Sequence, residues 1–204
     1  MNINELNIAC IILAGGKGSR LDGKGKYNQV LYNKTLLEHV CFRVRGQSKY
    51  IAINFNRENE IKHLEIDIIY DIFSNNIGPL AGIHSALKYG YNKFGKKGLV
   101  CTVPVDTPFL PQNLVKNLYK NLINNNSKIV VAKSGNRKHP TIALWSNSLL
   151  FEIEKYINKG VRKIDIFSEN FKVSYEAWKI EKIDPFFNIN NYEDLKKAEN
   201  MLKN

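Results

Sequence analysis

Glycines and basic side chains are concentrated in one stretch near the start of the chain. Residues 8–13 form an unbroken apolar run, and the residues that follow it read AGGKGSR. Glycine lets backbone N–H groups approach and converge on an anion, and Lys17, Arg20 and Lys26 add positive charge. We interpret the stretch as a buried strand that ends in a phosphate-binding loop.

The glycine spacing narrows the possible ligand classes. It matches neither the GxxxxGK(S/T) pattern of P-loop NTPases nor the GxGxxG pattern of dinucleotide-binding enzymes, which counts against both. For the glycines alone, a surface turn with solvated lysines is an equally valid interpretation.

Polar side chains also stand at the ends of three further predicted strands. Asn54, Asp71 and Asp106 each close or follow an apolar run. Ligands of open α/β sheets bind outside the carboxyl ends of the strands. We therefore expect these three side chains to converge with the loop at residues 15–20.

Asp106 is the candidate metal ligand. It lies between Pro104 and Pro108, which restrict the loop, and a carboxylate together with substrate phosphates suits Mg²⁺. Capping of the helix predicted from Pro111 is the alternative role, but Asp106 lies several residues too early for it. Asp71 is also typical of an ordinary strand-to-loop junction, and Asn54 is equally suited to binding a base or sugar and to satisfying loop backbone groups.

Histidine offers no clear general base. His139 lies in a strongly patterned stretch, and we expect it to order a loop or contact substrate, since no partner for base catalysis is identifiable. We interpret His39, His63 and His84 as helix-surface residues.

The pattern of elements predicts an α/β fold. Strand and helix signals alternate, which is typical of a Rossmann-like, doubly wound, mostly parallel sheet with helices on both faces, formed here by a single domain over residues 1–204. The predicted strands are 8–13, 50–54, 66–70, 99–103, 128–133, 139–145 and a strand end at 186–190. The predicted helices begin at 36, 58, 80, 111, 150, 161 and 192.

Composition limits the function classes. The 204 residues carry a net charge of +11, which fits a polyanionic ligand. No helix-turn-helix, zinc-ligand or RNP-like motif supports nucleic-acid binding. Three widely spaced cysteines, no signal-peptide pattern and no apolar run of about 20 residues predict a cytosolic protein without a membrane span.

Several motifs in order resemble molybdenum cofactor guanylyltransferases, and they span nearly the whole chain. They are LAGG with Ser19, Arg20 and Lys26; GPLAG at 78–82; DTPFLP at 106–111; HPTIAL at 139–144; and NIN at 188–190 with Glu193, Asp194 and Leu195. The first motif alone indicates only the wider nucleotidyltransferase superfamily. One departure is Gly25, where the family commonly has Asp before the lysine.

The resemblance implies transfer of GMP from GTP to the terminal phosphate of Mo-molybdopterin, with Mg²⁺ as cofactor. It implies catalytic roles for Lys26, Arg20 and Asp106, with Asp106 holding the metal. The implied nucleotide-binding residues are Leu13, Ala14, Gly15, Gly16, Lys26, Asn54, Asp71, Gly82 and Asp106, and those on the pterin side are His139, Pro140, Asn188 and Asn190. It also implies a monomer with transient contacts to proteins that deliver or accept the cofactor.

Three other interpretations stay open at this point. A related nucleotidyltransferase could use CTP with molybdopterin, or an NTP with a sugar phosphate, because phosphate contacts carry no information about the base. A nucleic-acid-binding module would explain the positive charge. A catalytically inactive relative would explain Gly25, although Lys26 and Asp106 are retained.

Overall fold

A computed structural model describes residues 6–15, 25–56, 61, 65–73 and 78–203. Its strands are β1 (Ile8–Leu13), β2 (Val30–Leu31), β3 (Lys34–Thr35), β4 (Tyr50–Asn54), β5 (Asp67–Ile69), β6 (Leu99–Pro104), β7 (Ile129–Ser134), β8 (Arg137–Ser146) and β9 (Val173–Trp178). Its helices are α1 (Leu36–Val44), α2 (Pro79–Phe94), α3 (Leu114–Asn125), α4 (Leu150–Asn158), α5 (Ile164–Ser168) and α6 (Tyr192–Lys203).

Among the described residues, seven strands form one mixed sheet in the order β5-β4-β1-β6-β8-β7-β9. Every neighbouring pair is parallel except the two pairs that β8 makes, so β8 alone runs against the others. The predicted α/β class and mostly parallel sheet are confirmed. β2 and β3 form a separate short antiparallel hairpin, which the sequence did not predict.

β1 lies inside the sheet and is covered on both faces. Ile8, Cys10 and Ile12 belong to a core that includes side chains of α1 and α3. Ala9 and Ile11 point to the other face, where Ala86 of α2 packs. This burial explains why the strand is apolar without alternation.

A local signal fixes the start of α1, whereas a distant side chain caps the start of α3. Thr35 caps α1 in a capping box, because its hydroxyl accepts from the Glu38 N–H while the Glu38 carboxylate accepts from the Thr35 N–H. The start of α3 was predicted at Pro111 and lies at Leu114 instead. There the side chain of Gln47 accepts from the Val115 N–H and donates to the Pro111 carbonyl, so a distant residue caps the helix.

Some predicted elements differ from the structure. The strand end at 186–190 is wrong: this segment has no strand pairing and packs through the buried Phe186 and Ile189. β9, an edge strand, was not predicted, and α5 (Ile164–Ser168) begins at Ile164 rather than at 161. The helix expected at 58–63 falls largely on residues outside the described part of the chain. None of the described helices is long and apolar enough to cross a membrane.

Candidate nucleotide-binding site

The carboxyl ends of β1, β4 and β6 lie side by side, as expected from their parallel pairing. Beyond the last strand residues, the Ala14 N–H donates to the Asn54 carbonyl at 3.0 Å, and the Val105 N–H donates to the Leu13 carbonyl at 3.1 Å. These bonds extend the sheet into the loops. They hold the residues after β1 between the end of β4 and the loop that carries Asp106.

Lys26 joins three separate parts of the chain. Its Nζ donates at 2.7 Å to Oδ2 of Asp106 and at 2.7 Å to Oδ1 of Asn190. The Lys26 side chain is 23% exposed and that of Asp106 is 11% exposed, so the ion pair is largely shielded but open to a ligand. These three residues, here called the lysine cluster, meet beside the carboxyl end of β6 and remain partly exposed.

The segment at 186–190 is attached to Asp106 by its backbone. The Ile189 N–H donates to the Asp106 carbonyl at 2.9 Å, and the buried Ile189 side chain packs in an apolar cluster with Phe109 and Leu195. The Asn190 N–H in turn donates to the Asp194 carboxylate at the start of α6. Asn188 precedes Asn190, a member of the lysine cluster, by two residues. Its Oδ1 is buried without a hydrogen-bond partner among the described residues.

Asp106 has the features of a metal ligand. Its Oδ1 is buried and accepts no hydrogen bond from the described residues, while Oδ2 accepts from Lys26. Within the described ranges no group of three or more His, Cys, Asp or Glu side chains could form a metal site by itself. A single carboxylate fits a hard divalent cation that takes its other ligands from water and substrate phosphates.

A second polar cluster surrounds Asp71 after β5. Asn54 donates through Nδ2 to Asp71 Oδ1 at 2.9 Å. Asn56 donates through Nδ2 to Asp71 Oδ2 at 2.7 Å and accepts the Asp71 N–H through its own Oδ1 at 2.9 Å. Asn54 is buried, whereas Asp71 is only partly covered. The carboxylate is thus held by amides from two directions.

Gly82 is required by the close approach of α2 to this cluster. A Cβ at position 82 would lie 2.8 Å from Asn54 Oδ1 and 3.1 Å from a methyl group of Leu13. Any side chain would displace the Asn54 amide. Pro79 occupies the first turn of α2, where a missing N–H costs nothing.

The backbone conformation at position 25 explains why this chain has glycine where the family commonly has Asp. Its φ is +78°, and a Cβ there would lie 2.5 Å from Cε1 of Tyr27. Tyr27 is buried and packs edge-on against Phe55 at 4.7 Å between ring centroids. In this chain, the turn that presents Lys26 therefore depends on glycine at position 25.

His139 is buried in β8 rather than presented on a loop. Its Nε2 lies 2.8 Å from the Ser134 hydroxyl, and its ring packs 5.0 Å from that of Phe186. Burial lowers the pKa of His139; nearby Asp184 opposes this shift and Arg137 adds to it. Pro140 follows where the β7–β8 register shifts, a position at which a missing N–H is tolerated.

The structure brings most of the predicted site residues into two groups at the sheet edge. Leu13, Ala14, Gly15, Asn54 and Asp71 lie together at one part of the sheet edge, and Lys26, Asp106 and Asn190 at another. Gly16, Lys17, Arg20 and His63 lie outside the described residues.

The interpretation of His84 as a helix-surface residue is wrong. This side chain is buried, and its Nε2 contacts Glu154 of α4 at 2.9 Å. The partner lies 70 residues away in the sequence, which no local pattern reveals.

Sequence reasoning overlooked Asn56 and Ser134. Asn56 follows Asn54 by two residues, and residues at that spacing in an extended chain point to the same side. The two-residue spacing could therefore have identified Asn56 as a site residue. No sequence pattern identifies Ser134, because its contact with His139 depends on the β7–β8 turn.

Comparisons with known proteins find relatives over most of the chain. The family model described as MobA-like NTP transferase domain matches residues 10–170. A molybdenum cofactor guanylyltransferase from Rhizobium meliloti (strain 1021) is 36% identical, covering 93% of this chain and 89% of that protein. Another, from Rhodopseudomonas palustris (strain HaA2), is 33% identical, covering 94% of this chain and 90% of that protein.

Solved structures are similar over nearly the whole chain. Molybdopterin-guanine dinucleotide biosynthesis protein A from Archaeoglobus fulgidus is 28% identical with a TM-score of 0.76, covering 96% of this chain and 98% of that one. A Mycobacterium tuberculosis protein, Rv0371C, crystallised in complex with manganese, is 12% identical with a TM-score of 0.66, covering 95% of this chain and 98% of its own. The latter shows the shared fold.

Proposed function

The chain belongs to the MobA-like NTP transferase family, and on this premise we propose that it is a molybdenum cofactor guanylyltransferase. It transfers GMP from GTP to the terminal phosphate of Mo-molybdopterin, forms the molybdopterin guanine dinucleotide cofactor and releases pyrophosphate. The observation that carries the proposal is the lysine cluster, in which Lys26 and Asp106 present opposite charges at the carboxyl edge of the sheet.

The reaction suits a site without a catalytic dyad. The attacking group is a phosphate oxygen that is already ionised near neutral pH, so no strong general base is needed. Catalysis can then rest on positioning and on neutralisation of phosphate charge. Lys26 supplies a fixed positive charge for the phosphates, and we propose the same role for Arg20.

Asp106 would hold the divalent cation, which we propose is Mg²⁺. The ion would neutralise phosphate charge at the α phosphorus. The free, buried Oδ1 supports this assignment, because an unsatisfied carboxylate oxygen is costly unless a ligand binds it.

The nucleoside would lie over the ends of β1, β4 and β5. We propose nucleotide contacts for the backbone at Leu13, Ala14 and Gly15, for Gly16, and for Asn54 and Asp71. Gly82 contributes by leaving room for Asn54 rather than by a side chain.

The pterin would approach from the side of residues 186–190. Asn188 offers a buried acceptor without a partner among the described residues, and Asn190 already accepts from Lys26. We propose that both face the acceptor substrate. His139 and Pro140 would support that side, with His139 acting through its contact with Phe186.

We also propose that the chain acts as one nucleotidyltransferase domain and as a monomer in the cytoplasm. It would contact proteins that deliver or accept the cofactor only transiently. The continuous seven-stranded sheet formed by the described residues supports the single domain.

A turnover assay tests the proposed function. Purified protein, Mg²⁺ and Mo-molybdopterin are supplied with GTP, CTP or ATP in parallel, and the pterin dinucleotide is detected. We expect product with GTP far above that with CTP or ATP, and none without a divalent cation. Product from CTP instead, or no pterin dinucleotide from any of the three nucleotides, would overturn the proposal. An Asp106→Asn variant, which keeps the side-chain shape, controls for contaminating activity.

A further inference from the structure

Asn56 makes two hydrogen bonds with Asp71 and Asn54 makes one, yet Asn56 has no role in the proposed site. Two hydrogen bonds, of 2.7 and 2.9 Å, close a ring between the Asn56 amide and the carboxylate and backbone N–H of Asp71. Asn56 is exposed, so these bonds do not serve to satisfy a buried amide. The ring fixes the direction in which the Asp71 carboxylate points.

The bonds leave the Asp71 carboxylate ready to accept further donors. Asn54 occupies one lone pair of Oδ1 and Asn56 one of Oδ2, so each oxygen keeps another lone pair. Among the described residues, the side chains that bond this carboxylate are amides and not cations. The carboxylate therefore keeps its negative charge for a ligand that offers N–H or O–H groups.

The position of Asp71 assigns it to the nucleoside rather than the phosphates. In the strand order, β5 lies three spacings from β6, about 14 Å from the strand that leads to Asp106. A carboxylate repels phosphate, and Lys26 and Asp106 mark the phosphate end. Asp71 also borders the loop after β1, since a Cβ on Gly15 would lie 3.7 Å from its Oδ2 and 3.5 Å from Asn56 Nδ2.

Guanine fits two adjacent carboxylate oxygens. Its N1–H and its N2 amino group are neighbouring donors, whereas adenine and cytosine place a ring acceptor beside their single amino group, which a carboxylate repels. We infer that Asn56 is a positioning residue for base selection: it holds Asp71 so that both carboxylate oxygens meet the donor edge of guanine. This inference rests on the proposed function, because it assumes GTP as the substrate.

Nucleotide affinity tests the inference without the pterin reaction. Displacement of a fluorescent GTP analogue in the presence of Mg²⁺ gives dissociation constants for GTP, ITP and 2′-deoxy-GTP. ITP lacks the N2 amino group, and 2′-deoxy-GTP lacks a ribose hydroxyl. For Asn56→Ala we expect the preference for GTP over ITP to fall about tenfold, with the preference over 2′-deoxy-GTP unchanged. In turnover, KM for GTP rises while kcat stays within about twofold of wild type.

Two further variants separate positioning from folding. Asn56→Asp keeps the Oδ1 acceptor for the Asp71 N–H but places an anion against the carboxylate, so we expect a larger loss of GTP preference than with Ala. Asn125→Ala removes another exposed asparagine, one bonded within α3, which packs on β7 and β9 at the other end of the sheet from β5. It should leave every ratio unchanged. Thermal unfolding confirms that all three variants are folded.

The outcomes are distinguishable. The inference is overturned if Asn56→Ala keeps the wild-type ratio of the GTP and ITP dissociation constants. It is also overturned if the variant loses its preference for GTP over 2′-deoxy-GTP instead. Either result leaves the proposed function intact. A wild-type protein that binds CTP as tightly as GTP overturns the proposed function itself.

Discussion

Lys26 donates a 2.7 Å hydrogen bond to Asp106, although 80 residues separate the two in the sequence. Lys26 lies in a single 3₁₀ turn that begins after Gly25, and Asp106 lies in the loop after β6. The pair offers a cation to phosphate and an anion to a metal ion at one place. Asn190 holds the lysine from the other side, so the amine keeps a partner whichever ligand occupies Asp106.

The first prediction concerns the charges of this pair. Asp106→Asn preserves shape but removes the negative charge, and Lys26→Ala removes the positive one. We expect each to lower kcat by about 10²–10³-fold, because each loses electrostatic stabilisation at the reacting phosphate. Circular dichroism should be unchanged. Lys120→Ala, on the exposed surface of α3, is the control and should keep wild-type turnover. Near wild-type rates in either site variant would refute the assignment.

The second prediction concerns Asn190 as the other support of Lys26. Asn190→Ala removes one of two acceptors and lets the amine move, so we expect kcat to fall about tenfold. Asn190→Asp should be worse, since a second carboxylate competes with phosphate for the amine. Steady-state kinetics with each substrate varied in turn provide the measurement. If kcat stayed unchanged and only KM for the pterin rose, Asn190 would serve the acceptor alone.

The central sheet was predictable because burial on both faces leaves a strong signal. β1 carries no polar residue, and its neighbours β4 and β6 each end in a polar residue or loop that faces the same edge. The approximate positions of Asn54, Asp71 and Asp106 followed from this parallel arrangement alone.

Other features depend on contacts that no local pattern encodes. β9 mixes polar and apolar residues because it is an edge strand covered mainly on the α3 side. Residues 186–190 resemble a strand in composition, but a single backbone bond from Ile189 to Asp106 replaces a ladder. The Asn56–Asp71 ring required knowledge of where β5 ends beside β4.

The third prediction uses Gly25. Gly25→Ala forces a side chain into φ +78° and against Tyr27, so we expect the free energy of unfolding to fall by about 2–3 kcal/mol. Gly46→Ala is the matched control, with φ +82° and no atom within 4 Å of the added Cβ. It should lose only about 1 kcal/mol. Urea unfolding compares the two. Equal losses would show that Tyr27 imposes no steric constraint.

The same geometry predicts the effect of restoring the residue common in the family. Gly25→Asp should lower turnover rather than raise it, because displacement of the Tyr27 ring moves Lys26 away from Asp106 and Asn190. A gain in kcat would mean that the missing carboxylate, not the turn geometry, limits this enzyme.

The fourth prediction is a pH dependence of stability from His139. Burial lowers its pKa in the folded protein, so the unfolded chain binds a proton more readily. Stability is therefore complete above the unfolded pKa of about 6.5 and is lost as pH falls from there toward the folded pKa. Asp184 moderates the shift and Arg137 reinforces it. Urea unfolding at several pH values between 7.5 and 5 measures the loss.

A substitution isolates this contribution from other titrating groups. His139→Gln cannot gain the proton, so its free energy of unfolding should fall less between pH 7.5 and 5 than that of the wild type. Ser134→Ala leaves the imidazole buried without its 2.8 Å partner and should destabilise the protein by about 1–3 kcal/mol at pH 7.5. Since His139 packs on Phe186, acid should also loosen the segment that carries Asn190. An identical pH profile in His139→Gln and wild type would exclude His139 as the titrating group.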